Sequence, residues 1–496
     1  MTGAGAVDAR TVPRQDLVAE ATADLAAGCR LALVAGHEDD EGFRVVYTLT
    51  AAHPRRIVEL VVLVPRDDPW IPTLAGVSYQ AGRFEREVRD LYGIRPDGHP
   101  LPHRLLRHAH WPRGWYPMRR DADPTPTFEP DVGSFPFLEV EGDGVFEIPV
   151  GPVHAGIIEP GHFRLSVVGE TILRMKARLW FLHRGVEKLF EGRRPDGGIE
   201  LAERISGDTA VGHTLAFAMA VEGAAGIDVS EPDRLLRGLL LEMERLYNHV
   251  ADLGALGNDV GFGIVDANAQ RLRETLLRLN KATTGHRLLR GAITIGGTRI
   301  HALPNPDVLR GVAAEVEELV GITLGHSVVR DRFTGTAVLP ADQARAIGTL
   351  GCVARASGLD ADARRDHPFI DLGPAFTVTV EDTGDVLARY LVRAREYAVS
   401  TNVILGLLDR IRGERGSGQA VSATTTGAGL GLVEAWRGTL VHRVELGPNG
   451  ELSRVKVVDP SFFNWPALPI ALADTIVPDF PLANKSFNQS YAGNDL

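Results

Sequence analysis

The sequence predicts an α+β fold, with a small N-terminal α+β unit followed by a mainly helical unit that β-hairpins flank. Early in the chain, short β-branched runs stand at Leu31–Val34, Val45–Leu49 and Ile57–Val64, each the right length for a strand. From Leu235 onward, apolar residues recur at helical spacing instead. The apolar share of 44% over 496 residues can fill a core of that size.

The expected units are 1–110, an extended linker over 111–145, and 146–496. Leu17, Ala21, Leu25 and Ala26 give the first helix, ahead of the strands. The unit closes on Phe84-Glu85-Arg86-Glu87-Val88-Arg89-Asp90-Leu91-Tyr92. Phe84, Val88, Leu91 and Tyr92 share one helical face, and Gly93 follows as a stop. Its charges read as a solvated face, worth only tenths of a kcal/mol per exposed pair. The linker is rich in Pro, Asp and Trp and has no sustained period.

In the second unit, alternation at Phe163, Leu165 and Val167, then at Leu173, Met175, Ala177, Leu179 and Phe181, predicts an antiparallel hairpin turning at Gly169-Glu170. Helical stripes follow: Leu235 to Leu253; Leu272, Leu276 and Leu279 behind an Asp266 cap; Val308 to Leu319 behind Asn305-Pro306; and a helix from Asp385 to about Ile411. Leu440 to Leu446 and Leu452 to Val457 form a second hairpin across Gly447-Pro448-Asn449-Gly450. Gly427-Ala428-Gly429-Leu430-Gly431 fails as a dinucleotide loop because Leu432 stands where glycine is needed, and reads as a glycine-rich turn.

Composition excludes several function classes. A formal charge of −11 argues against a nucleic-acid-binding body. Cys29 and Cys352 are the only cysteines, which leaves neither a disulfide framework nor a thiolate metal cage within one chain. The apolar segment from Leu17 to Gly36 carries Glu20, Asp24 and Arg30, so it is no signal peptide and a cytoplasmic protein is expected. No uninterrupted apolar run reaches the roughly 18 residues of a membrane span, although docking onto a membrane partner stays open.

Several motifs carry a resemblance. Glu85-Arg86-Glu87, Asp90-Leu91-Tyr92, Gly93-Ile94 and Gly98-His99-Pro100 resemble the signature of the respiratory complex I subunit that docks beside the quinone-site subunit, where this segment is a structural and interface element. Gly151-Pro152-Val153-His154, Glu159-Pro160-Gly161-His162-Phe163-Arg164-Leu165 and His183-Arg184-Gly185-Val186-Glu187-Lys188-Leu189 resemble the opening of the superfamily of nickel-iron hydrogenase large subunits and complex I quinone-site subunits. The likeness continues through Glu244-Arg245 with His249, Arg355-Ala356-Ser357-Gly358 and the stretch from Asp362 to Phe369, and within that superfamily the chain resembles the large subunits of formate hydrogenlyase and energy-converting hydrogenases.

That resemblance implies ligand positions for a nickel-iron centre, and this sequence leaves them without cysteine. Ser206 and Thr209 occupy one pair and Ser490 and Gly493 the other. Neutral hydroxyls and a glycine cannot replace soft anionic thiolates, so no metal is expected on this chain and hydrogen activation is contradicted. Where the complex I subunit presents a tyrosine to quinone, Gly207 stands, with Asp208 adjacent. The resemblance makes Glu159 and His162 proton-transfer candidates, and His154, His162 and Asp208 the candidates for a quinone pocket. Both histidines read equally as backbone-bonded residues of a Gly/Pro-rich turn. Asp362, Arg364 and Asp366 lie either near a redox site or in a buried ion network, and His249 reads as a ligand-facing or a core histidine.

At the level of the assembly, the resemblance implies a peripheral subunit on the cytoplasmic face of the plasma membrane. It would contact an iron–sulfur small subunit, which carries its own cluster, and antiporter-like and other membrane subunits. Quinone is the implied acceptor and NAD(H) enters only at the level of the whole complex. A non-catalytic scaffold is the alternative.

Overall fold

The computed structural model describes residues 7–130, 135–155, 158–411 and 426–496. The β-branched runs of the first unit form strands Arg30–Glu38, Gly42–Ala51 and Arg56–Pro65, paired antiparallel, with Val7–Thr11 added in parallel to the last. Helix Tyr79–Tyr92 packs on strand Arg30–Glu38. Ser78 caps its N-terminus by accepting from the Ala81 amide at 3.2 Å, and Gly93 ends it at φ 75°.

The acidic side chains of this helix are not solvated, while Arg86 and Arg89 stay half-exposed. Glu85, Glu87 and Asp90 are all buried, because each meets a partner that the sequence places far away. Glu85 accepts from the Leu74 amide at 2.7 Å. One Asp90 oxygen accepts the amides of Leu105, Leu106 and Arg107 at 2.8, 2.9 and 3.2 Å. Glu87 pairs with Lys456 of the C-terminal sheet at 2.7 Å. Gln80 and Arg83 donate to the backbone carbonyls of Phe463 and Phe462. The helix is thus the seam between the first unit and the rest of the chain.

Beyond an irregular stretch, Val145–Val150, His162–Val168 and Thr171–Arg178 make a three-stranded antiparallel sheet. A bulge at Ser166/Val167 shifts its register, so Ile172 is buried and Leu173 turns outward at 40% exposure, against the simple alternation. Helix Glu231–Asp259 forms the axis of the helical part and packs on Gly263–Thr284 and Val386–Ile411. Pro306–Gly325 starts behind its Asn305 cap as expected. Gly263–Thr284 begins before Asp266, which sits inside its first turn.

The stretch Gly427–Gly431 is a strand, not a turn. Gly427–Ala435 pairs with Gly438–Leu446, which pairs with Leu452–Val458 across the expected Gly447–Gly450 connection. Its alternate glycines let helix Ala210–Ala225 lie directly on the sheet. A Cβ on Gly429 would sit 2.1 Å from the Ala220 carbonyl oxygen, and one on Gly431 1.8 Å from that of Ala216. Ala216, Ala220 and Ala224 repeat every four residues on the facing helix, so small residues meet on both sides.

Gly431→Ala is therefore expected to destabilise the chain by about 3 kcal/mol through overpacking. Thermal or denaturant unfolding of the purified protein measures it, and an unchanged midpoint would disprove the close packing.

Candidate functional site

Helix Ala210–Ala225 fixes one half of the site, because the turn feeding its N-terminus carries Ser206, Asp208 and Thr209. The Thr209 amide donates to the Ser206 carbonyl at 3.1 Å. The other half is the short helix Tyr491–Asp495, which Ser490 caps by accepting from the Gly493 amide at 2.9 Å. These halves, separated by most of the second unit in sequence, meet directly. The Ser206 and Ser490 hydroxyls are 2.8 Å apart and both residues are buried.

Asp208 and Arg437 lock the meeting point. Arg437 Nη1 and Nη2 reach the two Asp208 carboxylate oxygens at 2.6 and 2.7 Å, while its Nε donates to the Asn488 carbonyl at 2.6 Å. The guanidinium lies 3.9 Å from the Trp436 ring centre, and the indole N–H reaches Thr209 Oγ1 at 3.0 Å. Ser206 and Thr209 each donate to Asp208 Oδ1 at 3.0 Å. Burial alone would raise the Asp208 pKa, but Arg437 and these hydroxyls outweigh it and hold the carboxylate below its usual range. The carboxylate keeps 38% of its side-chain surface, and Gly207 beside it is exposed, so this corner opens to the outside.

This donor set does not fit a nickel-iron centre. The hydroxyls at Ser206, Thr209 and Ser490 are engaged with one another, with Asp208 and with local amides. At Gly493 even a Cβ would stand 2.5 Å from Asp459 Oδ2, which accepts from His213 at 3.0 Å. A second group, His249, Cys352 and Glu396, brings metal-type donors together in the helical core. There Glu396 is 2.5 Å from Arg355 and 2.9 Å from His249, and burial beside Glu396 pushes the Cys352 thiol up to about 12. A carboxylate committed to arginine and a thiol held protonated make a poor metal site. Arg364 joins the same buried ion network through Asp362 at 2.6 Å and Glu242 at 3.2 Å.

Of the residues the sequence singled out, Glu159 joins the cluster. Its Oε2 accepts from the Ala492 amide at 3.0 Å, between Ser490 and Gly493. The loop that carries it also packs on Tyr491, since a Cβ on Gly161 would lie 2.5 Å from that ring. His154 and His162 turn to the loop itself. His154 Nε2 lies 2.8 Å from the Gly161 carbonyl, and His162 Nδ1 lies 3.0 Å from that of Gly151 while its Nε2 accepts from Arg164 at 3.2 Å. Among the described residues neither ring has a polar contact with Glu159 or Asp208.

Comparison with known proteins follows the same division of the chain. Residues 11–128 match the family model of the 30 Kd subunit of respiratory-chain NADH dehydrogenase. Residues 259–426 match that of its 49 Kd subunit, and residues 184–256 that of nickel-dependent hydrogenase. Formate hydrogenlyase subunit 5 of Escherichia coli is 35% identical over 88% of this chain and 78% of its own length. Hydrogenase-4 component G of the same organism is 33% identical over 91% and 81%. The C/D protein of the NADH-quinone oxidoreductase of Phocaeicola vulgatus is 31% identical over 75% and 76%. This chain belongs to the family of formate hydrogenlyase and complex I C/D proteins. A chain of an archaeal respiratory complex, the membrane-bound sulfane sulfur reductase, shares the fold with a TM-score of 0.66 at 25% identity, over 71% of this chain and 99% of that one.

Two residues of this family member complete the site without having been assigned a role from sequence. Arg437 follows a strand with no motif around it, and only the fold reveals its pairing. Glu244 was visible only as part of Glu244-Arg245. It is buried on the central helix and accepts the Val211 and Gly212 amides at 2.7 and 2.9 Å, at the start of helix Ala210–Ala225. Burial drives its pKa up, the two amides oppose this, Asp208 adds to it, and the carboxyl ends at about 8.

Because its folded pKa is raised, protonated Glu244 contributes stability that is fully present below the unfolded value of about 4.3 and is lost as pH rises through about 8. The melting temperature of the wild type is expected to fall more steeply between about pH 5 and 8 than that of Glu244→Gln, and the two curves to run parallel above that. Curves that are also parallel between about pH 5 and 8 would overturn the assignment.

Proposed function

We propose that this chain is a peripheral, nickel-free subunit of a membrane-associated multisubunit oxidoreductase, taking part in electron transfer coupled to proton movement. The observation that carries this reading is the closure of the four ligand positions into the hydrogen-bonded Ser206–Ser490 and Asp208–Arg437 cluster. A partner subunit's iron–sulfur cluster supplies the electrons, a quinone is the acceptor, and NAD(H) enters only elsewhere in the complex. What this chain supplies is protonatable groups beside an opening. Glu244, with a pKa near 8, can hold and release a proton at working pH, and Glu159 lies at the other half of the same cluster. Asp208, kept ionised by Arg437, favours the protonated form of Glu244 and orients polar groups near the opening. Membrane attachment falls to antiporter-like and other membrane partners, on the cytoplasmic face, a reading supported by the likeness to a chain of a membrane-bound respiratory complex; no helix among the described residues is long and apolar enough to cross a membrane.

A scaffold role is the second reading. It is favoured by His154 and His162, whose rings bond to backbone carbonyls of their own loop and leave no histidine of that loop facing the cluster.

Metal analysis of the purified complex is expected to find no stoichiometric nickel on this chain, together with no hydrogen uptake. Acceptor reduction should fall roughly 10²-fold in Glu159→Gln and in Glu244→Gln, the scale of a lost general acid–base group. Undiminished reduction in both variants would leave the scaffold reading standing, and stoichiometric nickel would overturn the proposal.

A further inference from the structure

Two neighbouring cavities lie between the irregular stretch after residue 98 and the sheet containing Thr171–Arg178, and neither is lined by the Ser206–Ser490 cluster. The larger, of about 580 Å³, is cationic. Arg89, Arg104, Arg107, Arg113, Arg164 and Arg178 line it, against Glu129 as the one lining carboxylate among the described residues. Most of these arginines spend their hydrogen bonds on neutral groups. Arg104 donates to the His108 carbonyl at 3.1 Å and Arg178 to that of Arg107 at 3.0 Å, while Arg89 and Arg107 donate to the carbonyls of Pro102 and Pro112. Carbonyls satisfy the N–H groups but cancel no charge. Asp90, held nearby by the three amides of residues 105–107, adds one negative charge, and the arginines remain in excess. Arg164 has a carboxylate within 3.5 Å, that of Glu147, which it shares with Lys176.

The second cavity, of about 480 Å³, is apolar over much of its wall, with Leu179, Trp180, Ile347, Trp465, Pro466 and Ile470 along it. It lies on the seam between the two units, where Tyr79 and Arg83 of the first unit face Trp465 of the second. Phe135 and Arg178 line both cavities and stack on each other at 4.6 Å, so the cationic and apolar spaces adjoin across one aromatic–guanidinium pair. Each has a volume typical of a small-molecule site, roughly 300–1,000 Å³.

We propose that this paired cavity binds one anionic phospholipid, with its phosphate among the arginines and an acyl chain along the apolar slot. Guanidinium groups bind phosphate oxygens in a fork, and charge complementarity selects the ligand class. A neutral amphiphile would leave the excess of arginine charge uncompensated, and a small hydrophilic anion would leave the slot wetted. This inference rests on neither the nickel-free reading nor the proton groups above.

The test titrates the delipidated complex with phosphatidylglycerol, phosphatidylcholine and glycerol 3-phosphate, reading bound lipid by native mass spectrometry. Phosphatidylglycerol is expected to bind at least about tenfold more tightly than either competitor, and the Arg104→Glu/Arg113→Glu and Ile470→Asp variants to weaken it by a similar factor. Arg113 is exposed, so Arg113→Glu alone keeps the charge arm if the double variant does not fold. Equal binding of phosphatidylcholine, equal binding of glycerol 3-phosphate, or a charge-reversed protein that retains full affinity would each overturn the proposal.

Discussion

The bidentate contact between Asp208 and Arg437 is the constraint on which the central architecture depends. One guanidinium holds the turn before helix Ala210–Ala225 through Asp208 and the C-terminal segment through the Asn488 carbonyl. Gly438, at φ 142°, begins the next strand immediately after Arg437, with Gly351 packed against that glycine. A lysine would offer a single point of charge and lose the fork that serves both carboxylate oxygens. The partial exposure of Asp208 limits how much the pair adds to stability, so its consequence is geometric: it fixes where the two halves of the site stand.

A second set of charges is fully buried and ties the units together. Glu187, within the His183 to Leu189 motif, receives Arg454 at 2.8 Å and Lys456 at 2.9 Å, and Lys456 reaches Glu87 of the first unit at 2.7 Å. Removing one member would strand an uncompensated buried charge, at a cost of about 3–5 kcal/mol. Arg443 repeats the arrangement with Glu59 at 2.8 Å, and Arg44 with Glu445 at 2.9 Å. The two units therefore share one polar interior across their seam, and their order in a single chain keeps these partners at high effective concentration.

Much of this was legible in the sequence where periodicity and local chemistry agree. The strands of the first unit, the Asn305 cap and the Asn-Gly connection follow from short-range rules. The motifs also placed Ser206 opposite Ser490, which the 2.8 Å hydroxyl contact realises. What the sequence hid is long-range. Glu85, Glu87 and Asp90 look like a wet helix face until the amides of residues 74 and 105–107 and the ammonium of Lys456 come to meet them. Gly427 to Gly431 looks like a turn until a helix of small residues presses on it. Arg437 carries no local signal, because its partner lies 229 residues away.

The cluster also explains why hydroxyls in place of thiolates leave a stable interior. A thiolate cage is anionic and requires a cation, so removing either component alone leaves buried charge. Here the Asp208 carboxylate faces the Arg437 guanidinium, the Ser206, Thr209 and Ser490 hydroxyls are neutral and donate to that carboxylate or to each other, and Asp459 beside Gly493 is met by His213, so no thiolate charge is left for a metal to offset. Returning sulfur at a single position would not recreate a metal site. Arg437 would still hold its charge there, and a side chain at Gly493 would have to displace Asp459 from His213. The polar arrangement is thus a complete alternative packing of the same fold, and Glu244, pressed from the central helix against the N-terminal amides of helix Ala210–Ala225 with Asp208 nearby, is the carboxyl of this corner whose charge that packing supports least.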